Sequence, residues 1–124
     1  MARLEYFFDY VSPYAYLADT QLPALVARTG AELVYRPFFL GGVMHGAKNS
    51  PPMTVPNKGS YMLTDLGRWT RRYGVEMDFN PHFPVNTLHA MRVATAAVAE
   101  PQFARVQVGE LQVAGEGARV RVFR

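Results

Sequence analysis

The sequence predicts an α/β fold that opens with a βαβ unit. Two short segments, Leu4–Phe8 and Glu32–Arg36, have the composition of strands, and the segment between them has an apolar helical face. A strand, a helix and a second strand over this length form a right-handed unit with parallel strands. Many α/β folds begin in this way, so the pattern indicates the class of fold but not the family.

The two strands differ in their polarity. The first is apolar on both faces, which predicts that it does not lie at a solvated sheet edge. In the second, Leu33 and Tyr35 alternate with Val34 and Arg36. Pro37 cannot donate to a sheet ladder and marks the exit from this strand.

The turn after the first strand has the residues of a helix start. Ser12 stands at the N-cap position, and Pro13 occupies the first helical position, where a missing N–H costs nothing. Two interpretations remain open: the hydroxyl only caps the helix, or it marks a site where a helix N-terminus favours negative charge. Further along, Pro23 predicts a kink or a restart near Leu22, and Gly30 ends the helix.

A Gly- and Pro-rich connection, Leu40–Lys58, follows the second strand. Such a long connection in a small domain is either functional or a surface excursion. Against full solvation stand the apolar residues Val43, Met44, Met53 and Val55. An amphipathic helix is predicted over Gly59–Tyr73, and another from Asn86 or Thr87 to about Ala99. Their apolar faces are expected to consist of Met62, Leu66, Trp69 and Tyr73, and of Leu88, Met91, Thr95 and Val98.

Composition excludes several classes of function. The 124 residues include no cysteine, which removes disulfide scaffolds, thiol redox chemistry and thiolate metal sites. The net charge of +3 is small and its basic residues are scattered, so we expect no nucleic-acid binding. No apolar run is long enough for a membrane span and no signal peptide is present, so we expect no membrane partner and a cytoplasmic location. The three histidines have no metal-ligand spacing.

The string DYVSPYAYLA, residues 9–18, resembles the opening of the kappa-class glutathione transferases and of the bacterial 2-hydroxychromene-2-carboxylate isomerases. These are thioredoxin-fold proteins related to periplasmic disulfide oxidoreductases, whose same turn carries Cys-Pro-x-Cys. Both sulfur positions hold other residues in this chain. The resemblance implies that Ser12 holds the thiolate of bound glutathione, which is the implied cofactor.

The same resemblance extends into the Gly- and Pro-rich connection. The family has an asparagine before paired prolines and a lysine after a third proline, and the string NSPPMTVPNK matches with Asn49 and Lys58. It implies that these two residues hold the peptide and carboxylate parts of glutathione. Asn86 is a further candidate of this kind, with an N-cap role as its alternative.

The resemblance covers Arg3 to Glu100 and then stops. From Pro101 the chain shows neither a helical face nor clean strands joined by a turn, and we expect a truncation or a changed reading frame near that residue. The predicted fold is therefore a thioredoxin-like βαβ half, residues 1–40, and an inserted helical segment with the glutathione-binding loop, residues 41–100. An atypical tail, residues 101–124, leaves the fold incomplete at the C-terminus.

The function implied by the resemblance is glutathione-dependent cis–trans isomerisation of 2-hydroxychromene-2-carboxylate-type intermediates of aromatic degradation. The alternatives are a kappa-type glutathione transferase and a non-catalytic, truncated glutathione-binding remnant. The expected partners are a small aromatic substrate and a second copy of the chain in a homodimer.

Overall fold

The computed structural model describes residues 1–99 and two strands at 110–112 and 119–121. The elements, in chain order, are β1 (Arg3–Phe8), α1 (Pro13–Thr29), β2 (Glu32–Pro37), α2 (Leu40–Gly46), a 3-10 turn (Pro52–Thr54), α3 (Pro56–Tyr73), α4 (Leu88–Ala97), β3 (Glu110–Gln112) and β4 (Arg119–Arg121). Strands β1 and β2 pair in parallel and are joined by α1, which confirms the predicted βαβ unit.

Strand β1 is buried on one face. Phe8 is buried and Tyr6 half-buried on the face that carries the core, whereas Phe7 is 60% exposed on the other. On the exposed face Glu5 pairs with the guanidinium groups of Arg3 and Arg36, at 3.0 and 2.7 Å. Within the described residues β1 has one partner strand, β2, so the predicted position away from a sheet edge is not found there. The strand is also apolar on one face only, because Arg3 and Glu5 alternate with the buried residues and stay in solvent.

We expect association of the chain at β1, because Phe7 is exposed on this face and the strand has β2 as its one partner in the described residues. Phe7→Ser should shift the population toward monomer in sedimentation velocity. Leu63→Ser, at a residue 53% exposed on α3, is the matched control and should leave the distribution unchanged. A monomeric wild type would refute the homodimer expectation, and identical distributions for both variants would show that the association does not use this face.

Helix α1 runs without interruption from Pro13 to Thr29, so of the two alternatives predicted near Leu22 the restart is wrong, and the kink stays a prediction. Pro23 lies at an exposed position of this helix, where water can reach the backbone around it. The predicted end is confirmed, since Gly30 has a left-handed φ of 67° and its N–H donates to the carbonyl of Val26.

The connection predicted between Leu40 and Lys58 is largely helical. It contains α2 and the 3-10 turn, and α3 begins at Pro56 rather than at Gly59. Gly41 and Gly42 of α2 lie against the ring of Phe39, and a Cβ on Gly42 would be 2.9 Å from its Cδ1 atom. Two glycines, which usually interrupt helices, thus provide room for an aromatic ring in this segment. Pro52 and Pro56 are the first residues of the 3-10 turn and of α3, where proline is tolerated.

Two apolar clusters form the core of the described chain. In the first, Leu17 of α1 packs against Met62 and Leu66 of α3. The second cluster joins α4 to the sheet through buried residues at Phe8, Tyr10, Met91 and Ala94.

The helical faces differ in part from prediction. Met62 and Leu66 are buried as expected, while Trp69 is 37% exposed and its ring lies 5.3 Å from that of Tyr73. In α4 the buried positions are Met91 and Ala94, and Thr95 is exposed. Small Ala94 allows α4 to approach the sheet closely, which the apolar periodicity alone did not indicate.

The tail contains one described pair of strands. Strand β3 pairs with β4 in antiparallel fashion, with Leu111 opposite Val120. The expectation of no clean strands after Pro101 is therefore wrong for these two segments. The rest of residues 100–124 lies outside the described residues, and the domain boundaries and the expected truncation stay predictions.

Candidate active site

Ser12 caps helix α1 as its position in the sequence predicts. Its Oγ accepts a hydrogen bond from the N–H of Ala15 at 3.1 Å, and its own N–H donates to the carbonyl of Asp9 at 3.0 Å. The cap uses the hydroxyl oxygen as an acceptor and leaves its hydrogen available, and that hydrogen has no acceptor within the described residues. The N–H of Tyr14 likewise has none there, and Pro13 has no N–H. Two donors therefore remain at the start of α1.

A cleft of about 430 Å³ lies between α1 and the segment that leads into α3. Its size is in the range of small-molecule sites. The walls are mostly apolar or aromatic, and Lys58 is the one residue among them with a charged side chain. The lining residues are Tyr14, Pro52, Asn57, Lys58, Tyr61 and Met62. Lys58 and Tyr14 thus line the same cleft, and Tyr14 lies two positions after Ser12. Ser12 itself does not line the cleft.

Tyr14 links the two helices that flank the cleft. Its hydroxyl donates to Oδ2 of Asp65 on α3 at 2.9 Å. Burial, with a smaller contribution from the Asp65 carboxylate, raises the pKa of Tyr14 to about 12. The phenol is therefore neutral at physiological pH and serves as a hydrogen-bond donor.

The titration of Tyr14 should be visible at high pH. Because the folded chain favours the neutral phenol, this contribution to stability is complete below about pH 10 and is lost as the pH rises toward 12. In an ultraviolet titration, Tyr14→Phe should remove one phenol that ionises near pH 12. Asp65→Asn should lower that midpoint without bringing it to 10, because burial is the larger cause. An unchanged high-pH phase in Tyr14→Phe would contradict the assignment.

Besides Ser12, two more predicted site residues lie outside the cleft lining. Asn49 is exposed; its N–H donates to the carbonyl of Met44 at 2.9 Å, and its Oδ1 accepts from the N–H of Ser50 at 2.8 Å. Asn86 is also exposed, and its Oδ1 accepts from the N–H of Leu88 at 3.0 Å at the start of α4. This contact fits the alternative role of Asn86 at a helix start. For both residues, glutathione binding stays a prediction.

Sequence reasoning missed a buried carboxylate next to Ser12. Asp9 is 1% exposed and accepts hydrogen bonds from the N–H of Val11, the hydroxyl of Thr87 and the N–H of Leu40, at 2.9, 2.6 and 2.8 Å. Its only signal in the sequence is its apolar neighbourhood, FFDYV. Tyr61 was also missed, although it follows Lys58 by three residues and therefore shares a helical face with it.

Within residues 1–99 no group of three or more His, Asp or Glu side chains is arranged to hold a metal ion. None of the described helices is long and apolar enough to cross a membrane.

The fold and this helix start define the class of protein. A family model of the DsbA-like thioredoxin domain matches residues 3–112, and the chain belongs to that family. It is 37% identical over 82 residues to a 2-hydroxychromene-2-carboxylate isomerase of Sphingobium xenophagum, a match over 64% of this chain and 42% of that protein. It is 34% identical over 102 residues to glutathione S-transferase kappa 1 of Rattus norvegicus, over 78% of this chain and 45% of that protein.

The structural comparison agrees with the sequence comparison. A solved structure of a 2-hydroxychromene-2-carboxylate isomerase superposes with a TM-score of 0.59 at 24% identity, over 77% of this chain and 55% of that one. At this identity the likeness concerns the fold. The chain spans slightly less than half the length of the two relatives named above.

Proposed function

We propose that the chain is a glutathione-dependent isomerase that acts on 2-hydroxychromene-2-carboxylate-type aromatic intermediates. The observation that carries the proposal is the helix start, where the Ser12 hydroxyl and the Tyr14 N–H have no acceptor within the described residues, beside an apolar cleft with a lysine. Relatives named as isomerases and as kappa glutathione transferases support the same class of chemistry.

The residues at the helix start fit a thiolate. A free thiol has a pKa near 8.5, and the N-terminus of a helix lowers it by one to several units. The Ser12 hydroxyl and the Tyr14 N–H can both donate to a negative sulfur, and Ser12 can do so without giving up its cap bond to Ala15. Serine also cannot form a disulfide with the ligand.

The cleft fits the remaining parts of the ligands. Lys58 provides an ammonium group suited to a carboxylate, and the chain has only one other lysine, Lys48. Tyr14, Tyr61 and Met62 offer apolar surface to a planar aromatic molecule. Bound glutathione supplies a thiolate for conjugate addition. The chain's own residues hold that sulfur ionised, orient the substrate carboxylate and exclude water from the apolar wall.

Calorimetric titration of glutathione tests the proposal. Wild type should bind, Lys58→Ala should weaken binding about tenfold through loss of a charge-assisted contact, and Lys48→Ala should match wild type. Isomerisation of 2-hydroxychromene-2-carboxylate should require added glutathione. If wild type binds and Lys58→Ala binds equally well, the carboxylate site is elsewhere.

The identity with the rat kappa enzyme supports a second candidate, a transferase in which the glutathione adduct is released. The same titration would show binding, but product analysis would find the adduct instead of the isomer. Binding with neither product would identify a non-catalytic glutathione-binding chain.

A further inference from the structure

One buried carboxylate joins three separate parts of the chain. Oδ1 of Asp9 accepts from the N–H of Val11 and from the hydroxyl of Thr87, the N-cap residue of α4. Oδ2 accepts from the N–H of Leu40, the first residue of α2. The carbonyl of Asp9 accepts from the N–H of Ser12. The turn that ends at Ser12 is therefore held from both the carboxylate and the backbone of the same residue.

The burial of Asp9 is compensated by hydrogen bonds. Asp9 and Thr87 are 1% and 2% exposed, and no ion pair reaches Asp9 within the described residues. A buried carboxylate is costly unless donors surround it, and here two N–H groups and a hydroxyl do so. Two of the three donors belong to segments far away in sequence, so the position of the carboxylate depends on α2 and α4 as well as on its own turn.

We propose that Asp9 is the positioning residue of the Ser12 site and that Thr87 and Leu40 fix its carboxylate. This inference rests on the proposed function for its link to glutathione. Two hydrogen bonds fix the backbone conformation from Asp9 to Ser12: the Val11 N–H donates to the Asp9 carboxylate, and the Ser12 N–H donates to the Asp9 carbonyl. This conformation determines the directions of the Ser12 hydroxyl and the Tyr14 N–H. A small displacement of donors that stabilise a developing or bound charge has a large effect on binding and rate.

Substitutions of Thr87 separate positioning from general stability. Thr87→Val keeps the shape of the side chain and removes the hydroxyl, while Thr87→Ser retains the hydroxyl. Thr95→Val is the matched control, since Thr95 donates to the carbonyl of Met91 on the same helix and does not contact Asp9. The readouts are the amide proton shifts of Ser12 and Ala15 in NMR spectra and the affinity for glutathione.

Thr87→Val should shift both amide signals and weaken glutathione binding about tenfold in a chain that stays folded by circular dichroism. Thr87→Ser and Thr95→Val should match wild type in both readouts. If Thr87→Val only lowers the melting temperature, with unchanged amide signals and affinity, the network is structural and the proposal is overturned.

A second variant covers the case in which Thr87→Val does not fold. Leu40→Pro removes the other remote donor at a first helical position, where proline is tolerated, and the preceding Phe39 has the extended backbone that a following proline requires, with φ −95° and ψ 100°. It should shift the same two amide signals, and unchanged signals would overturn the proposal. If wild type binds no glutathione but these signals move, the proposed function fails while the positioning of Ser12 by Asp9 stands.

Discussion

Replacing Ser12 by aspartate is expected to leave helix α1 capped and to abolish glutathione binding near neutral pH. Aspartate is as good an N-cap residue as serine, so its carboxylate can accept from the N–H of Ala15 in place of the serine Oγ. The same carboxylate adds a negative charge where the thiolate of glutathione would lie. A neighbouring negative charge raises the pKa of a thiol and so disfavours the bound thiolate. Calorimetry measures the loss of glutathione binding, and the ultraviolet absorbance of the bound thiolate measures the change in the pKa of the thiol.

Ser12→Ala completes this comparison. It removes both the cap and the hydroxyl donor, and it should lower the free energy of unfolding by about 1 kcal/mol. Its glutathione affinity should fall about tenfold, less than that of Ser12→Asp, because no repulsion is added. If Ser12→Asp binds glutathione as wild type does, the serine only caps the helix and the thiolate site is elsewhere.

The parts of the fold that could be predicted from the sequence depend on local signals. Strands β1 and β2, the Ser12 cap and the helix end at Gly30 are each specified by a few neighbouring residues, and all were found where expected. Helix α2 was missed because its glycines usually interrupt helices, whereas here they accommodate the ring of Phe39, a contact that sequence patterns do not reveal.

In the candidate site, too, residues with a local sequence signal were predicted and contacts between distant residues were not. Ser12 and Lys58 were identified through a motif, and the structure places Lys58 on the cleft that Tyr14 also lines. The bond between Asp9 and Thr87 joins residues 78 positions apart, and neither side chain carries a local signal of its partner. Such contacts follow from the packing of α4 on the sheet, and packing is set by the whole chain rather than by any short segment.

The packing between α1 and α3 is expected to depend most strongly on Leu66. This side chain is 1% exposed and contacts the cluster that contains Leu17 and Met62. Leu66→Ala should lower the free energy of unfolding by about 2–5 kcal/mol, because burial is lost and a cavity remains between the helices. Since domains of this kind are stable by only about 5–15 kcal/mol, the change would unfold a substantial fraction of the chain under mild denaturant.

The matched control is Leu63→Ala on the same helix, at a side chain that is 53% exposed. It changes the same atoms and should alter the free energy of unfolding by no more than about 0.5 kcal/mol. Trp69, the one tryptophan of the chain, reports the transition by fluorescence from within α3 during urea titration. Equal effects of the two substitutions would mean that Leu66 does not hold α3 against α1. The cleft between Tyr14 and Lys58 would then need another support, because those two residues lie on the helices that the Leu66 cluster joins.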